Sequence, residues 1–183
     1  MYTDELKQYL LSTARDSIRH GLQHKKSLHV NAADYPEVLR ASRATFVTLK
    51  LLQQLRGCIG TTAAVAPLIR SVADNAYAAA FRDPRFPTLT QDEYDLIHVS
   101  ISILTSATPV QFANDSDLLK QLRPQEDGLI IELGARRATF LPSVWETLSR
   151  PEDFLRQLKL KAGIPIHQPP ERAWRYQALY VEE

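Results

Sequence analysis

Residues 46–61 read FVTLKLLQQLRGCIGT and hold two runs, 46–52 and 55–61, that are separated only by Gln53 and Gln54. The first run is rich in apolar and β-branched residues, a composition typical of a strand. Two strands joined by so few residues form an antiparallel hairpin. Gln53 and Gln54 lack the Gly, Asn or Asp of the common tight turns, so the turn type stays open.

Outward from the hairpin, strands and helices are mixed along the chain. A further strand is predicted over 97–104, where isoleucine and valine alternate with His98, Ser100 and Ser102. Short connections between neighbouring strands favour antiparallel pairing, so the predicted class is α+β, with helices packed on an antiparallel sheet. Helices are predicted at 4–23, 62–81, 115–122, 142–148 and 151–161, strands at 128–133, 137–141 and 174–181, and a loop or short turn at 24–44.

Length and charge limit the possible classes of protein. A chain of 183 residues suits one domain or two small lobes that share a core. The 22 basic and 21 acidic residues give a net charge of +1, without the basic stripe that neutralises phosphates. RNA binding is therefore the least favoured function.

Cysteine usage and the apolar pattern predict a cytoplasmic protein. The single cysteine, Cys58, cannot form an internal disulfide, and this fits a reducing compartment. Charged residues within the first eleven positions argue against a signal peptide, and no apolar run is long enough for a membrane span. The scattered histidines give no zinc ligand set, and no nucleotide-binding glycine fingerprint is present, so the cofactor is unknown.

The run LRGCIG, residues 55–60, is the first candidate site. Side chains on a strand alternate between faces, which would place Arg56 and Cys58 on one face. A guanidinium near a thiol favours the reactive thiolate. Gly57 and Gly60 would let a ligand or another backbone approach closely. The alternative stays open that Cys58 is a small buried residue and that the glycines mark a bulge or tight packing.

The run FRDPRFP, residues 81–87, is the second candidate site. Prolines on both sides would hold Arg85 and Phe86 in a fixed geometry, as an arginine anchor beside an aromatic wall. The alternative is a packed connection in which Asp83 pairs with Arg85 or Arg82. A His98–Ser100 pair could suggest nucleophilic catalysis, but a polar, half-solvated strand face explains these residues better.

These segments together resemble the AMMECR-type domain, and more closely its microbial branch, protein A of the AmmeMemoRadiSam system. The LRGCIG run is the hallmark of that family and is quite specific. The matching runs span nearly the whole chain and comprise 46–50, 55–61, 79–86, 99–105, 127–130, 138–142 and 154–163.

The resemblance implies one domain over residues 1–183 with an α+β fold, a larger and a smaller lobe, and a cleft between them. It also implies a habitual genomic association with a Memo-like protein and a radical SAM protein. It brings no known activity and no established catalytic residues, so whether the protein is an enzyme stays open. The residues that match the motifs of the family are Arg56, Gly57, Cys58, Gly60, Asp83, Pro84, Arg85 and Phe86.

The leading hypothesis is an accessory or enzyme-like protein that works through a cleft lined by LRGCIG, with a Memo-like protein and a radical SAM enzyme. Cys58 would be a nucleophile or redox thiol, and Arg56 and Arg85 would bind an anionic group. Gly57, Gly60 and Asp83 would complete the binding surface. The alternative is a non-catalytic protein–protein interaction module in which the LRGCIG strand belongs to the core.

Overall fold

The structure is a computed structural model that describes residues 2–183, with Met1 outside them. The chain forms two compact units, one of residues up to Leu104 together with Leu179–Glu183, the other of Thr105–Ala178. Each unit has a hydrophobic core of its own. Within residues 2–183, no helix is both long and apolar enough to cross a membrane.

The first unit is built on a four-stranded sheet with the order β2-β1-β3-β8. Its elements are α1 (Asp4–His24), a 3-10 turn (Ala32–Asp34), α2 (Glu37–Arg40), β1 (Thr45–Leu51), β2 (Gln54–Gly60), α3 (Leu68–Phe81), α4 (Gln91–Tyr94), β3 (Ile97–Leu104) and the C-terminal β8 (Ala178–Glu182).

One face of this sheet packs on helices and the other does not contribute to the core. β1 lies antiparallel to both β2 and β3, with Val47 opposite Ile59 and Ile101. These residues join the core that α1 and α3 also line. Because side chains alternate along a strand, Thr48 and its cross-strand partners Cys58 and Ser100 lie on the opposite, outer face.

The second unit has its own four-stranded sheet, with the order β4-β7-β5-β6. Its core is centred on Trp145, whose ring stacks on Phe154 at a centroid distance of 3.8 Å and whose Nε1–H donates to the carbonyl of Asp127. The elements are β4 (Thr108–Val110), α5 (Asp115–Gln121), β5 (Gly128–Leu133), β6 (Arg136–Phe140), a 3-10 helix (Pro142–Glu146), α6 (Pro151–Ala162) and β7 (Arg172–Tyr176).

The predicted α+β class with antiparallel strands is confirmed, although there are two sheets. The turn of the first hairpin falls at Leu52 and Gln53, both at positive φ, one residue earlier than the sequence suggested. The single strand predicted over 174–181 is wrong. It is interrupted at Gln177, whose N–H donates to the hydroxyl of Thr105 and whose carbonyl accepts from the Thr105 N–H. The helix predicted at 142–148 is a shorter 3-10 helix, and α4 and β4 were not predicted.

Candidate functional site

A β-bulge interrupts the LRGCIG strand at Arg56. β1 pairs Leu49 with Gly57 but pairs Lys50 with Leu55, so Arg56 is the extra residue of β2. An extra residue breaks the simple alternation of side chains along the strand. The expectation that Arg56 and Cys58 share a face, and thus a site, rested on that alternation.

Arg56 is buried and is held inside the protein. It is 8% exposed, and its Nε and Nη2 donate to the two carboxylate oxygens of Glu93 at 2.7 and 3.0 Å. Its Nη1 donates to the carbonyl of Pro87 at 2.9 Å. The hydrogen bond from Arg56 lowers the pKa of Glu93 to about 2, so the pair is ionised at neutral pH. Arg56 thus ties β2 to the segment that follows α3.

Glu93 is positioned by the local structure of α4. The N–H of Thr90 donates to Glu93 Oε2 at 2.9 Å, which forms the capping box of this short helix. Arg15 of α1 donates to the carbonyl of Tyr94 at 2.6 Å and fixes the helix from its other end. Sequence reasoning missed Glu93, although a threonine followed three residues later by glutamate is the capping-box signature and could have indicated α4.

Asp83 joins the two candidate motifs. Its side chain is 2% exposed, and Oδ2 accepts from the backbone N–H of Cys58 at 2.9 Å and from Arg85 Nη2 at 2.7 Å. Oδ1 accepts from the backbone N–H and Nε of Arg85 at 3.1 and 3.0 Å. These donors, the Arg85 guanidinium first, hold the pKa of Asp83 far below its usual range. The Asp83–Arg85 pair considered in the packed alternative is therefore present.

Arg85 is fixed at one edge of its guanidinium and open to solvent elsewhere. Its side chain is 55% exposed, although Nη2 also donates to the carbonyl of Cys58 at 3.3 Å and the group lies 5.4 Å from the ring centroid of Phe86. The hydrogen bond to Asp83 raises the pKa of Arg85, partial burial opposes this, and the charge of Asp83 adds to the rise. A permanent positive charge therefore stands beside Cys58 and can still bind an anion.

The Cys58 thiol is only half-buried and lies on the outer face of the sheet. The hydroxyl of Thr48 donates to its sulfur at 3.2 Å. Thr48 is also opposite Ser100 in the neighbouring strand, so Cys58, Thr48 and Ser100 form a polar row across three strands. A hydroxyl donor therefore contacts the sulfur of Cys58, and the Arg85 guanidinium contacts the backbone carbonyl of the same residue.

The two glycines of the motif make room for the protein's own backbone. A Cβ at Gly57 would lie 2.1 Å from the carbonyl oxygen of Ala79 in α3, and one at Gly60 would lie 2.2 Å from that of Thr45. These contacts let α3 and β1 approach β2 without side chains between them. Of the predicted site residues, the structure brings Cys58, Asp83 and Arg85 together, while Arg56 and the glycines serve packing. Within residues 2–183, no cluster of His, Cys, Asp and Glu is suited to hold a metal ion.

The fold and this motif define an α+β domain of two compact units, and the chain has clear relatives. The family model of AMMECR1 matches residues 11–181, so the chain belongs to the AMMECR1 family. A protein of Methanothermobacter thermautotrophicus is 37% identical over 182 residues, which cover 95% of this chain and 92% of that protein. A protein of Thermotoga maritima is 44% identical over 144 residues, covering 77% of this chain and 79% of its own length.

The fold of this chain is also similar to that of a solved structure. The crystal structure of uncharacterized protein PH0010 from Pyrococcus horikoshii superposes with a TM-score of 0.90 at 29% identity. The match covers 99% of this chain and 93% of that one. The names of these relatives assign them no activity, so the function of this chain has to be argued from its site.

Proposed function

We propose that this protein is a cytoplasmic accessory or enzyme-like protein that binds an anionic group beside an accessible thiol, at Cys58 and Arg85. It would act with a Memo-like protein and a radical SAM enzyme, the partners that the family resemblance implies. The observation that carries the proposal is the position of Arg85. Asp83 fixes this side chain next to Cys58, yet more than half of it stays exposed.

The proposed chemistry follows from the hydrogen-bond donors and the nucleophile that remain accessible at the site. Arg85 uses Nε and Nη2 on Asp83 and Cys58, while Nη1 has no hydrogen-bond partner among residues 2–183. A guanidinium with free donors binds a carboxylate or a phosphate. The Cys58 sulfur, with a hydroxyl donor at Thr48, would face the bound group as a nucleophile. Arg56 takes no part in this binding, because its guanidinium already donates to Glu93 and to the carbonyl of Pro87.

The proposal is tested by alkylating Cys58 in the native protein with two reagents, neutral iodoacetamide and anionic iodoacetate. An anion site beside the thiol raises the rate for iodoacetate relative to iodoacetamide. Loss of one exposed charge is worth on the order of 1 kcal/mol, so Arg85→Gln should lower this rate ratio about fivefold. Arg43→Gln is the control, because the Arg43 side chain is exposed and donates to the carbonyl of the adjacent Ser42.

Three outcomes decide the proposal. A ratio that falls only in Arg85→Gln supports the anion site. An equal ratio in both variants refutes it, and a thiol that reacts only after unfolding removes any role for Cys58 in chemistry. The proposed partners are tested separately, by co-purification of the native protein with the Memo-like and radical SAM proteins of the same organism.

A non-catalytic interaction module is the second candidate function, and exposed leucines favour it. Leu52 is 82% exposed, Leu96 62% and Leu55 43%. The register of the sheet places Leu55 opposite Lys50 and Ile97 opposite Leu51, so all three leucines lie at one end of the sheet. A cluster of exposed leucines is typical of a docking surface. Serine substitutions at these leucines should abolish co-purification with the Memo-like protein and leave the alkylation ratio unchanged.

A further inference from the structure

A pocket in the first unit, apart from the Cys58 site, has the size of a small-molecule binding site. It lies between α1 and the segment 28–35 and has a volume of about 450 Å³. Neither Cys58 nor Arg85 lines it. The proposed role of those two residues therefore makes no use of this pocket.

The two walls of the pocket are held in place by the fold. Tyr9, Thr13 and Asp16 follow one another at helical spacing along α1, so they line one face of that helix. The segment opposite is tied to the same helix, because the N–H of Leu28 donates to the hydroxyl of Ser17 at 3.1 Å. The pocket is therefore formed by the chain itself before any ligand binds.

Thr13 brings a nearly buried hydroxyl without a partner to the pocket. The residue is 3% exposed, and its hydroxyl forms no hydrogen bond within residues 2–183. Among the described residues, Asp115 alone has a fully enclosed side-chain oxygen that lacks a partner. The Thr13 hydroxyl therefore keeps contact with solvent, and it does so in the pocket that the residue lines. An unpaired polar group in such a position calls for a hydrogen bond from a ligand.

The charged groups of the pocket select a cation. The lining contains Asp16, Asp34 and His29 but no lysine or arginine. One oxygen of each carboxylate is used, since Asp16 Oδ1 accepts from Arg19 in an exposed pair and Asp34 Oδ1 accepts from Asn31 at 3.2 Å. The Oδ2 atoms of both aspartates accept no hydrogen bond within residues 2–183. Two acceptors with negative charge are therefore open to a donor.

An aromatic pair lies beside these acceptors. The rings of Tyr9 and Tyr35 meet edge to face, with their centroids 5.8 Å apart. Tyr9 precedes Thr13 by one turn on the same face of α1, and Leu28 and Val30 add apolar surface from the other wall. Aromatic faces attract ammonium groups and pack well on methylene chains. The pocket thus suits a cation that carries an aliphatic chain.

We propose that this pocket binds a linear aliphatic polyamine. One ammonium group donates to the Thr13 hydroxyl and to Asp16 Oδ2; the Cβ atoms of residues spaced in this way are about 5–6 Å apart, so one ammonium can contact both side chains. The methylene chain packs on Tyr9 and Tyr35. A second ammonium donates to Oδ2 of Asp34, which directly precedes Tyr35 in the chain.

The lining also disfavours other classes of ligand. An amino acid or a nucleotide would bring a carboxylate or a phosphate for which the pocket holds no lysine or arginine. A polyamine brings only positive charge, and its separate ammonium groups match the two separate carboxylates.

The test measures binding of spermidine to the full chain by isothermal titration calorimetry at about 0.15 M NaCl, where weak surface attraction is screened. Butylamine, which has a single ammonium group, and Mg²⁺, which has no aliphatic chain, are titrated beside it. We expect a Kd for spermidine below about 1 mM and at least tenfold weaker binding of the other two cations. Equal binding of spermidine and Mg²⁺ would reveal attraction to negative charge alone and would overturn the proposal.

Substitutions in the pocket assign the binding to its residues. Thr13→Val keeps the shape of the side chain but removes the hydroxyl, and it should weaken spermidine binding about threefold or more, whereas Thr13→Ser should bind like the wild type. Asp16→Asn should weaken binding about fivefold or more. Asp4→Asn is the control, because Asp4 is a 97% exposed carboxylate on the same helix outside the pocket. The proposal is wrong if spermidine does not bind at about 10 mM, or if Thr13→Val and Asp16→Asn bind it as the Asp4→Asn variant does.

Discussion

Arg56 and Glu93 form a two-point ion pair, with Nε 2.7 Å from Oε1 and Nη2 3.0 Å from Oε2. The arginine of the LRGCIG run is therefore held within the protein and is not available to a ligand. Because both side chains are largely shielded from water, the pair is expected to matter more for stability than an exposed ion pair would. This separates the motif into a structural part at Arg56 and an accessible part at Cys58.

The Arg56–Glu93 pair should make stability depend on pH in acid. The hydrogen bond from Arg56 lowers the pKa of Glu93 from its ordinary 4.5 to about 2 in the folded protein, so the contribution of the pair to stability is complete above pH 4.5 and is lost as the pH falls towards 2. This contribution is on the order of 3 kcal/mol at neutral pH. Urea unfolding should show wild type and Glu93→Gln furthest apart at pH 7 and converging near pH 2.

Glu37→Gln is the control, because Glu37 is an exposed carboxylate on α2 and its substitution removes a negative charge without breaking the Arg56–Glu93 pair. A constant difference between wild type and Glu93→Gln over this pH range would contradict the assignment of the ion pair.

Gly57 should tolerate no side chain. A Cβ there would lie 2.1 Å from the carbonyl oxygen of Ala79, and backbone on both sides cannot move without separating α3 from β2. Gly57→Ala should lower the free energy of unfolding by about 3 kcal/mol or more, as overpacking in a tight core does. Chemical denaturation measures this. Gly134→Asn is the control, because no atom lies within 4 Å of the Cβ position of Gly134 and asparagine tolerates the positive φ found there. Equal losses of unfolding free energy in the two variants would refute the packing argument.

The hairpin turn can be improved by substitution. Leu52 and Gln53 have φ values of +50° and +66°, which suit the type I′ turn of a two-residue hairpin but are unfavourable for these residues. The double variant Leu52→Asn/Gln53→Gly should raise the free energy of unfolding by about 1–2 kcal/mol, since Leu52 is exposed and loses little packing. Gln54→Gly, in the strand beside the turn, should instead lower it by about 0.5–1 kcal/mol. A melting temperature that falls in the double variant would contradict the turn assignment.

How much the sequence could predict depended on the range of the interactions involved. The strand at 97–104 and the first helix were predictable, because alternation and helical periodicity are local signals. The bulge at Arg56 was not, because it appears only in the pairing of Lys50 with Leu55 across the hairpin. Glu93 lies 37 positions beyond Arg56, and no local pattern connects the two residues. The pairing of Asp83 with Arg85 was foreseen because the residues are close in sequence, but its hydrogen bond to Cys58 was not.

Asp83 should act as the positioning residue of the Cys58–Arg85 site. Its buried carboxylate accepts from both residues, so Asp83→Asn replaces one acceptor oxygen with an amide that faces donors. We expect a loss of about 2–4 kcal/mol in the free energy of unfolding, because donors are left unpaired in a buried position. Released from Asp83, Arg85 should also lose its fixed place beside the thiol, so that the iodoacetate-to-iodoacetamide rate ratio falls as far as in Arg85→Gln.

A double-mutant cycle separates this positioning role from a general loss of stability. If Asp83 acts on the thiol through Arg85, the rate ratio of the Asp83→Asn/Arg85→Gln variant should equal that of Arg85→Gln alone, and the two stability losses should be non-additive by about 1–3 kcal/mol. Additive effects within about 0.5 kcal/mol, or a further fall in the rate ratio, would show that Asp83 affects Cys58 independently of Arg85. An unchanged rate ratio with non-additive stability losses fits the hydrogen bonds of Asp83 Oδ1, both of which come from Arg85. Additive losses or a further fall would instead assign the influence of Asp83 on the thiol to the hydrogen bond from the Cys58 N–H to Oδ2, which orients the strand itself.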